Sequence, residues 1–515
     1  MPITSLRTAV LMLAASVPLT AQAGNEEIFV GTSTSGSVDT HAFVASGTGA
    51  TTYQSPNPYT DNVTDAVWAN TGRNVYVAQS LGNRVSLGQW NGSVPTWSPF
   101  YPAPGACYGL GLDAGRQRLW VLTGAAASTR ELHCVDADPS SATYGTMLTQ
   151  TTSLSGASRE RWALSPSGNL AAVPHVFVNS GLFQVVDTNP ASATFLQTIV
   201  STTMPGAAAM GFAFASDCEV SIDDLYAYVL YTGIGAAALA VYDLTANAWL
   251  DFAAAPGQQD FAITLSVPNG MALAWDRSFA VLSGQGGGGW AMRIDFDYAN
   301  PTNSTSTQFA GLSIPNANGI SLSPENTRAA VTSTPQSVAP PGTLVVFDVQ
   351  TGAVLHTVPL GNMWNIYTTV WQDESPTATF LPFGSGCPGS LGVPTLAAAP
   401  GSRPALGTTF VTTAGNLPFG IAVLEVGLSN TLTSSSLPLP LPLDTLGMIG
   451  CSLLVDPLVA FALVNAGSTA NWTWTLPSNQ TLFGQHFYAQ AFALDPAANA
   501  FGFTASNGAD GKLGF

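Results

Sequence analysis

The sequence predicts an all-β protein, with a seven-bladed β-propeller closed between its N- and C-terminal strands and then a smaller antiparallel β-sandwich. Two observations predict the propeller: short apolar runs separated by turn-forming residues, and the recurrence of this unit at a near-constant interval. Between residues 161 and 190 the runs are Trp162–Leu164, Leu170–Val178 and Leu182–Val186, with Gly, Pro, Ser, Asn and Asp between them. Short runs of β-branched and aromatic residues bounded in this way are typical of strands joined by hairpins.

The recurrence is clearest at the last residue of the first run, which we call the anchor of each repeat. Successive anchors are 44, 52, 50, 59, 49 and 49 residues apart, and about four strands in roughly 40 to 50 residues indicate a propeller blade. One blade cannot bury both faces of its sheet, whereas stacked blades can, and closing the ring removes most open edges. The seven anchors are Trp68, Leu112, Leu164, Phe214, Leu273, Leu322 and Trp371.

The two ends of the repeat region predict how the ring closes. Only one strand, Tyr367–Trp371, follows the sixth full repeat, and the strands Ile28–Val30 and Ala42–Ala45 precede the first anchor. We therefore expect the last strand to pair with the first ones and to complete a seventh blade across the chain ends.

A column of aspartates lies 22 to 29 residues past five of the anchors. The pairs Asp136-x-Asp138 and Asp295-x-Asp297 resemble fragments of calcium loops, which is one interpretation of the column. The other is that each side chain caps the turn at a fixed hairpin position, and we favour it because the same Asp occurs in repeats without a second acid. The column comprises Asp136, Asp187, Asp243, Asp295 and Asp348.

Several repeat units resemble the YVTN family of β-propeller repeats. The resemblance is carried by Ala69–Ala78, by Ser165–Gly168 and Ser323–Asn326 with the apolar runs that follow them, and by the Val-Phe-Asp-Val-Gln-Thr-Gly segment within 345–352. It covers about 350 residues. This family includes binding proteins and lactonase-like enzymes, so the resemblance implies a fold and leaves the activity open.

The N-terminus and the composition predict an exported protein. Residues 1–23 have the features of a secretory signal peptide, namely Arg7, an apolar core at Ala9–Leu19 and a small-x-small cleavage site at Ala21–Ala23; the alternative is a buried helix. No other apolar run approaches the roughly 18 residues that span a bilayer. We expect a secreted or cell-surface protein without a transmembrane segment, with the propeller at 24–375 and the sandwich module at 376–515.

The net charge restricts the partners. Thirteen Lys and Arg against thirty Asp and Glu give −17, and an anionic chain repels phosphate backbones, so we expect no nucleic-acid partner. The sequence predicts no cofactor. The expected partner is a small polar ligand, a surface polymer or a protein.

Five cysteines are present, and an exported chain can form disulfides. Cys387 and Cys451 are the two in the C-terminal part and are predicted to pair. Cys107 and Cys134 flank one repeat and could pair, leaving Cys218 as the odd thiol. Alternatively, these three are plain buried thiols.

Alternating stretches at Ile421–Leu428, Trp472–Leu476 and Phe487–Leu494 predict the sandwich. The segments Gly-Ser-Gly-Cys-Pro-Gly-Ser, Leu-Pro-Leu-Pro-Leu-Asp…Gly-Met-Ile-Gly-Cys and Tyr-Ala-Gln-Ala-Phe-Ala-Leu-Asp-Pro…Asn resemble a C-terminal module that recurs on exported bacterial proteins. The resemblance implies a role in surface retention, sorting or adhesion. Only seven charged residues lie between positions 376 and 515, which argues against acid–base catalysis in this part.

The candidate ligand site is one mouth of the propeller channel. Residues four and three positions before each anchor should lie where each innermost strand begins, and four of the seven residues three before are Gly. One interpretation is that Asn and Gly form a tight turn there; the other is that the exceptions point into the mouth and bind a polar ligand. The predicted ligand-binding residues are Asp65, Tyr108, Arg159, Glu160, Arg161, Asn269, Asn318 and Tyr367.

Three functional hypotheses follow. The leading one is a non-enzymatic binding or surface-interaction protein, because no histidines have zinc spacing and no Gly-x-Ser-x-Gly precedes a helical pattern. The first alternative is a lactonase-like hydrolase using Glu160, Arg161 and His175, and the second is a structural envelope component. Binding predicts a polar mouth without a His–acid pair within hydrogen-bond reach, whereas catalysis requires such a pair.

Overall fold

A computed structural model gives the architecture of the chain. The predicted signal segment 1–23 and the predicted site residues Arg159, Glu160 and Arg161 lie outside the described residues. The structure describes residues 27–32, 40–45, 47–56, 63–69, 74–90, 95–126, 129–151, 154–155, 162–175, 181–207, 214–233, 236–252, 260–265, 267–312, 314–324, 326–333, 342–360, 366–371, 378–400, 402–406, 408–435, 437–464, 467–477, 482 and 485–514.

Two compact units form, one from the described residues up to 371 and one from those after 377. In the first unit the described strands make seven antiparallel sheets, which we call blades 1 to 7 in chain order. Blades 1 to 3 comprise Val63–Trp68, Asn74–Gln79, Arg84–Trp90 and Pro95–Pro102; Ala106–Asp113, Arg118–Ala126, Thr129–Asp136, Met147–Gln150 and Leu154–Ser155; and Ala163–Leu164, Leu170–Pro174, Leu182–Asp187 and Thr198–Thr203.

The remaining blades follow the same order of strands from the innermost outwards, with 3-10 turns at Gly286–Gly288 and Pro301–Asn303. Blades 4 to 7 comprise Phe214–Val220, Tyr226–Gly233, Ala236–Asp243, Ala248–Trp249 and Phe261–Ile263; Pro268–Leu273, Phe279–Gly284, Trp290–Asp295 and Thr305–Gln308; Ala317–Leu322, Arg328–Ser333, Thr343–Asp348 and Val354–Pro359; and Ile366–Trp371, Glu27–Thr32, Thr40–Ala45 and Thr51–Pro56.

Blade 7 closes the ring as the sequence predicts. Its innermost strand comes from the end of the repeat region and pairs antiparallel with the first strand of the chain, with Ile28 opposite Trp371 and Val30 opposite Thr369. Each innermost strand also contacts the innermost strand of the next blade, and that of blade 7 contacts that of blade 1. The predicted all-β fold class and the closure between N- and C-terminal strands are therefore confirmed.

The two tryptophan anchors help to join the blades around this closure. The indole Nε1 of Trp68 donates to the carbonyl oxygen of Val370 in blade 7 at 3.1 Å, and that of Trp371 donates to Ser321 in blade 6 at 3.2 Å. Both indoles are buried. A buried indole N–H needs an acceptor, so each bond satisfies a donor and joins two blades.

One anchor was wrong. In blades 1 to 6 the structure pairs each true anchor with the residue seven positions later, as Trp68 with Val75 and Leu273 with Ala280. In blade 4 the residue with this pairing is Val220, opposite Ala227, whereas Phe214 begins the strand and is 43% exposed. The apolar run that ends at Phe214 therefore marks the beginning of this strand, not its end.

The aspartate column caps turns in four of its five positions. Asp136 accepts the backbone N–H of Asp138 at 3.0 Å and the hydroxyl of Thr143 at 2.6 Å. Asp187 makes the equivalent pair of bonds, and Asp243 and Asp348 accept backbone N–H groups two and three residues ahead. Asp295 instead pairs with Arg293. Among the described residues, no group of three or more His, Cys, Asp and Glu could hold a metal ion.

The three propeller cysteines are free and buried. Cys107 packs with Tyr76 in the apolar cluster shared with blade 1, whereas Cys134 packs with Trp120 in the cluster shared with blade 3. The two thiols therefore lie on opposite faces of blade 2, which explains why they do not pair. Burial raises the pKa of both thiols to about 12.

The second unit is a sandwich of two antiparallel sheets around apolar residues such as Leu424, Leu463 and Ala491. A small hairpin, Leu441–Pro442 with Ser452–Leu453, and the 3-10 turn Asp444–Leu446 accompany them. In sheet order, the five strands of one sheet are Thr379–Phe383, Phe503–Lys512, His486–Leu494, Ile421–Gly427 and Val459–Val464, and the three of the other are Thr395–Ala398, Thr409–Gly415 and Ala470–Thr475.

The three motif segments of the second unit meet in one network. Cys387 and Cys451 form the predicted disulfide and join the first segment to the second. Gln490 of the third segment is fully buried, accepts the backbone N–H of Leu454 at 2.9 Å and donates to Ser452 and Ser506. These residues therefore hold the sandwich together, and a role in sorting or adhesion stays a prediction. None of the helices in the described ranges is long and apolar enough to cross a membrane.

Candidate functional site

A β-bulge marks the start of the innermost strands, at the end of the channel that we call the front mouth. The structure describes the start of the innermost strand in six blades. In each of them the residue four positions before the anchor has no partner in the register with the neighbouring strand, and in blade 6 the following glycine has none either. A bulge leaves its residue out of the ladder and redirects the side chain. These bulge positions are held by Thr64, Tyr108, Ser216, Asn269, Asn318 and Tyr367.

Each residue at a bulge position carries a hydroxyl or an amide. Four of them, Tyr108, Asn269, Asn318 and Tyr367, are among the predicted ligand-binding residues. In blade 4, Ser216 is the residue four positions before the corrected anchor Val220. Uncharged residues with hydrogen-bonding groups therefore occupy this position in every blade where it is described.

The next residue along, which we call the gap position, lies between neighbouring blades. A Cβ added at Gly270 would lie 2.6 Å from the carbonyl oxygen of Asn318 in blade 6. A Cβ at Gly109 would collide with the indole nitrogen of Trp162 and would lie 2.6 Å from its Cδ1. Glycine occurs at this position because the next blade approaches too closely for a side chain.

Two blades carry aspartate at the gap position, and both use it in the same way. Asp65 accepts the N–H of Leu110 in blade 2 at 2.8 Å and the N–H of Ala66 at 2.8 Å. Asp217 accepts the N–H of Met271 in blade 5 at 2.7 Å and that of Cys218 at 3.0 Å. Both carboxylates thus join an innermost strand to the next one, and a ligand-binding role for Asp65 stays a prediction.

An amide cluster lies at the front mouth of blades 5 and 6. The amide nitrogen of Asn269 donates to the carbonyl oxygen of Ala317 at 3.1 Å and to Oδ1 of Asn318 at 3.2 Å. The amide nitrogen of Gln285 donates to the same Oδ1 at 2.8 Å. Thr64 makes a bond of the same kind in blade 1, donating to Cys107 at 3.0 Å. The bulge residues of blades 1 and 5 therefore hold the next blade as well as lining the mouth.

An aromatic and cationic cluster lies at the front mouth of blades 2 and 3. The guanidinium carbon of Arg130 lies 4.2 Å from the ring centroid of Tyr108, and Arg130 is 2% exposed. Tyr108 also packs against the apolar cluster that includes Trp162. The stacked cation is a favourable contact for the Tyr108 ring and fixes its orientation at the mouth.

Sequence reasoning missed Arg130, Gln285 and Trp162. Gln285 could have been found, because it directly follows the second strand of blade 5, and antiparallel pairing brings that end beside the bulge position. Arg130 starts a third strand and has no equivalent in the other repeats, so no sequence signal pointed to it. The sequence placed Trp162 in a strand but did not predict which way its side chain points.

Two His–carboxylate pairs occur in the described parts of the chain, and neither lies on an innermost strand. In blade 2, His133 Nε2 lies 3.1 Å from Glu131 Oε2, and His133 Nδ1 lies 2.6 Å from the hydroxyl of Tyr101. In the second unit, His486 Nδ1 lies 2.7 Å from Asp510 Oδ1. Burial raises the pKa of Tyr101 to about 12, so this hydroxyl keeps its proton at neutral pH.

The residues of the lactonase-like hypothesis are only partly described. His175 directly follows the second strand of blade 3, at the front end, and is 1% exposed. Glu160 and Arg161, its predicted partners, lie outside the described residues together with Arg159. The catalytic set of that hypothesis is therefore an untested prediction.

The fold and the site define a seven-bladed propeller with a polar front mouth, in a chain that also carries a β-sandwich. No protein family and no curated protein matches the sequence at a significant level.

Similar solved structures include a candidate 6-phosphogluconolactonase from Bacteroides fragilis, 13% identical with a TM-score of 0.49 over 69% of this chain and 100% of that one. A functionally unknown protein from Desulfotomaculum acetoxidans is 14% identical, with a TM-score of 0.49 over 67% and 98% of the two chains. A periplasmic gluconolactonase from Pseudomonas aeruginosa is 16% identical, with a TM-score of 0.46 over 67% and 98%. Similarities of this size do not indicate what this chain binds or catalyses.

Proposed function

We propose that this protein is an exported, non-enzymatic binding protein that holds a polar ligand at the front mouth of its propeller. The observation that carries the proposal is the ring of bulges, which places a hydroxyl- or amide-bearing residue at the same position of six blades. Bulges next to functional sites redirect side chains out of the ladder. A ring of such residues around one opening is suited to hydrogen-bonding a ligand from several sides.

The composition of the mouth favours binding over hydrolysis. General acid–base catalysis needs a titratable group within hydrogen-bond reach of the reacting atom. The described bulge positions carry only Thr, Tyr, Ser and Asn, and the two described His–carboxylate pairs lie elsewhere. These residues can orient a ligand through hydrogen bonds, and none of the described bulge positions carries a carboxylate or an imidazole.

Export is supported by the disulfide of the second unit and by the signal-like residues 1–23, since disulfides persist in oxidising compartments. We further propose that the second unit is a surface-retention or sorting module, as its resemblance to the module of exported bacterial proteins implies. The propeller would then present its ligand site outside the cytoplasm.

The test is a ligand screen by thermal shift on the mature chain, followed by titration of the hits against two mouth variants. Tyr108→Ala and Asn269→Ala are expected to weaken binding of a genuine ligand at least tenfold, because each removes a side chain at the mouth. The control is Trp275→Phe, which removes a hydrogen bond to Pro324 at the other end of the channel and is expected to leave affinity unchanged. Equal affinity of the wild type and both mouth variants would place the ligand elsewhere.

The lactonase-like alternative has its own assay. Wild type and Glu160→Gln are compared for hydrolysis of small lactones. Hydrolysis that disappears in Glu160→Gln would replace the binding proposal with an enzymatic one. Equal hydrolysis by both would remove Glu160 from the mechanism, and no hydrolysis by the wild type would refute the lactonase-like alternative for these substrates.

A further inference from the structure

We infer that the ligand of the front mouth is a neutral carbohydrate, held by hydroxyl groups that accept a hydrogen bond from Trp162 at the boundary of blades 2 and 3 and donate hydrogen bonds to blade 5. The inference rests on the proposed function and names the chemical class of its ligand. It depends on polar atoms at the mouth that have no hydrogen-bond partner in the described structure.

The donor side is the indole of Trp162. This residue is 6% exposed, and its Nε1 has no hydrogen-bond partner in the described parts of the chain. The indole covers the innermost strand of blade 2. Its nitrogen lies over Gly109, beside the bulge residue Tyr108, and its Cη2 lies 3.0 Å from a Cβ placed on Gly111. The N–H is thus at the front end of the indole, and burying it without an acceptor is unfavourable unless a ligand supplies one.

The acceptor side is the amide cluster of blades 5 and 6. The nitrogens of Asn269 and Gln285 are used within the cluster. Their oxygens, Oδ1 and Oε1, accept no hydrogen bond from the described residues, and both side chains are half-buried. Two amide oxygens at the edge of the mouth are therefore open to solvent and can accept hydrogen bonds from a ligand.

The two sides face each other across the channel. Blades 2 and 5 are three steps apart in a ring of seven, as are blades 3 and 6, so the unpaired donor and the unpaired acceptors lie on opposite walls of the mouth. A ligand spanning the mouth must accept on one side and donate on the other.

Hydroxyl groups meet both requirements. A hydroxyl can donate one hydrogen bond and accept others, whereas a carboxylate or phosphate only accepts and would face the amide oxygens with no hydrogen to offer. The net charge of −17 also repels anions. A neutral compound with several hydroxyl groups satisfies the Trp162 N–H, the two amide oxygens and the charge of the chain together, and the half-exposed Tyr108 ring provides an aromatic surface beside them.

A matched pair of tryptophan variants tests the donor. Trp120 is also fully buried in the same apolar cluster, and its Nε1 also has no partner among the described residues, but it lies within the second strand of blade 2. Trp162→Phe and Trp120→Phe each delete one buried indole N–H and keep an aromatic ring. Their effects on packing are therefore comparable, and only the first should change the affinity for a ligand at the mouth.

The probes are neutral gluco-, xylo- and N-acetylglucosamine oligosaccharides and, as the anionic counterpart, oligogalacturonides, titrated by calorimetry into the mature full chain. At least one neutral series is expected to bind, with affinity about fivefold to tenfold weaker in Trp162→Phe and in Gln285→Ala, as for one lost hydrogen bond, and unchanged in Trp120→Phe. Thermal unfolding of each variant confirms that it is folded.

Each other outcome overturns a different statement. Absence of binding to every neutral series, or tighter binding of oligogalacturonides, refutes the carbohydrate inference and leaves a polar ligand of another class at the mouth. Equal effects of Trp162→Phe and Trp120→Phe refute the assignment of the donor. Saccharide binding that is unaffected by Tyr108→Ala and Asn269→Ala contradicts the proposed function itself, because the site is then not the front mouth.

Discussion

Replacement of Asp217 by alanine should destabilise the propeller more than replacement of any turn-capping aspartate. The Asp217 carboxylate accepts the N–H of Met271 on the next blade at 2.7 Å and the N–H of Cys218 at 3.0 Å. In Asp217→Ala both N–H groups lose their acceptor, and Cys218 is buried. The substitution therefore removes a connection between the innermost strands of blades 4 and 5.

The expected cost follows from these two bonds. Leaving one buried donor unsatisfied costs about 1–3 kcal/mol. Asp217 is half-buried, so water can partly replace the carboxylate, and we take about 1–2 kcal/mol for each donor, or roughly 2–4 kcal/mol in total. Urea unfolding followed by tryptophan fluorescence measures the loss, and hydrogen exchange of the peptide that contains Met271 shows whether that strand opens locally.

The control is Asp243→Ala. Asp243 also accepts two backbone N–H groups, from Thr245 at 2.8 Å and Ala246 at 2.7 Å, but in an exposed turn where water can replace it. A lost cap of this kind costs about 1 kcal/mol. If Asp217→Ala lowers the free energy of unfolding by no more than Asp243→Ala, Asp217 contributes no more than an exposed turn cap. The proposed role of Asp217 in joining blades 4 and 5 is then wrong.

Three further outcomes can be measured on the same chain. Gly109→Ala places a Cβ 2.6 Å from Cδ1 of Trp162. We expect this overpacking to lower the free energy of unfolding by about 1–3 kcal/mol, seen as a lower Tm, and to weaken ligand binding at the front mouth. Cys387→Ser opens a disulfide that spans 64 residues, which should cost the second unit about 4 kcal/mol in urea unfolding; no loss would show that the bridge is dispensable. The Thr351 hydroxyl, opposed by burial, holds the pKa of Asp348 below its usual 3.8. The folded state therefore binds fewer protons than the unfolded one. The stabilisation is present above about pH 3.8 and is lost as the pH falls through the folded pKa. In Asp348→Asn we therefore expect Tm to fall less steeply as the pH is lowered.

The ring could be predicted from the sequence because each repeat contains a turn between its first and second strands. The turn after each true anchor has a fixed length, so the anchor pairs with the residue seven positions later in blades 1 to 6. A fixed turn gives a fixed register, and register is what a pattern of apolar and turn-forming residues encodes. The seventh blade was predictable from the strands left over at the two ends.

The error in blade 4 has a physical cause. The first strand there is polar for an innermost strand, with Ser216, Asp217 and Glu219 between its apolar residues. Apolar periodicity pointed instead to the run that ends at Phe214, six residues too early. Asp217 is acceptable in this strand because its carboxylate bonds to two backbone N–H groups, a tertiary contact that no local pattern shows.

The two adjacent positions at the front end of the innermost strands have different structural roles. At the bulge position the residue leaves the ladder, so its side chain can be any polar group that the mouth requires. At the gap position the next blade excludes a side chain, as at Gly270, or receives a carboxylate, as at Asp65.

The charge at Asp65 therefore need not indicate a ligand, although it interrupts a column of glycines. Asp217 makes the same pair of bonds in blade 4, three blades further round the ring. A ligand bound on one side of the mouth gives no reason for two carboxylates so far apart to repeat one geometry, whereas the contact between successive blades does. The residue proposed to bind the ligand is the one before it, and in blade 5 that residue is Asn269, whose amide nitrogen holds the next blade and whose oxygen has no partner among the described residues.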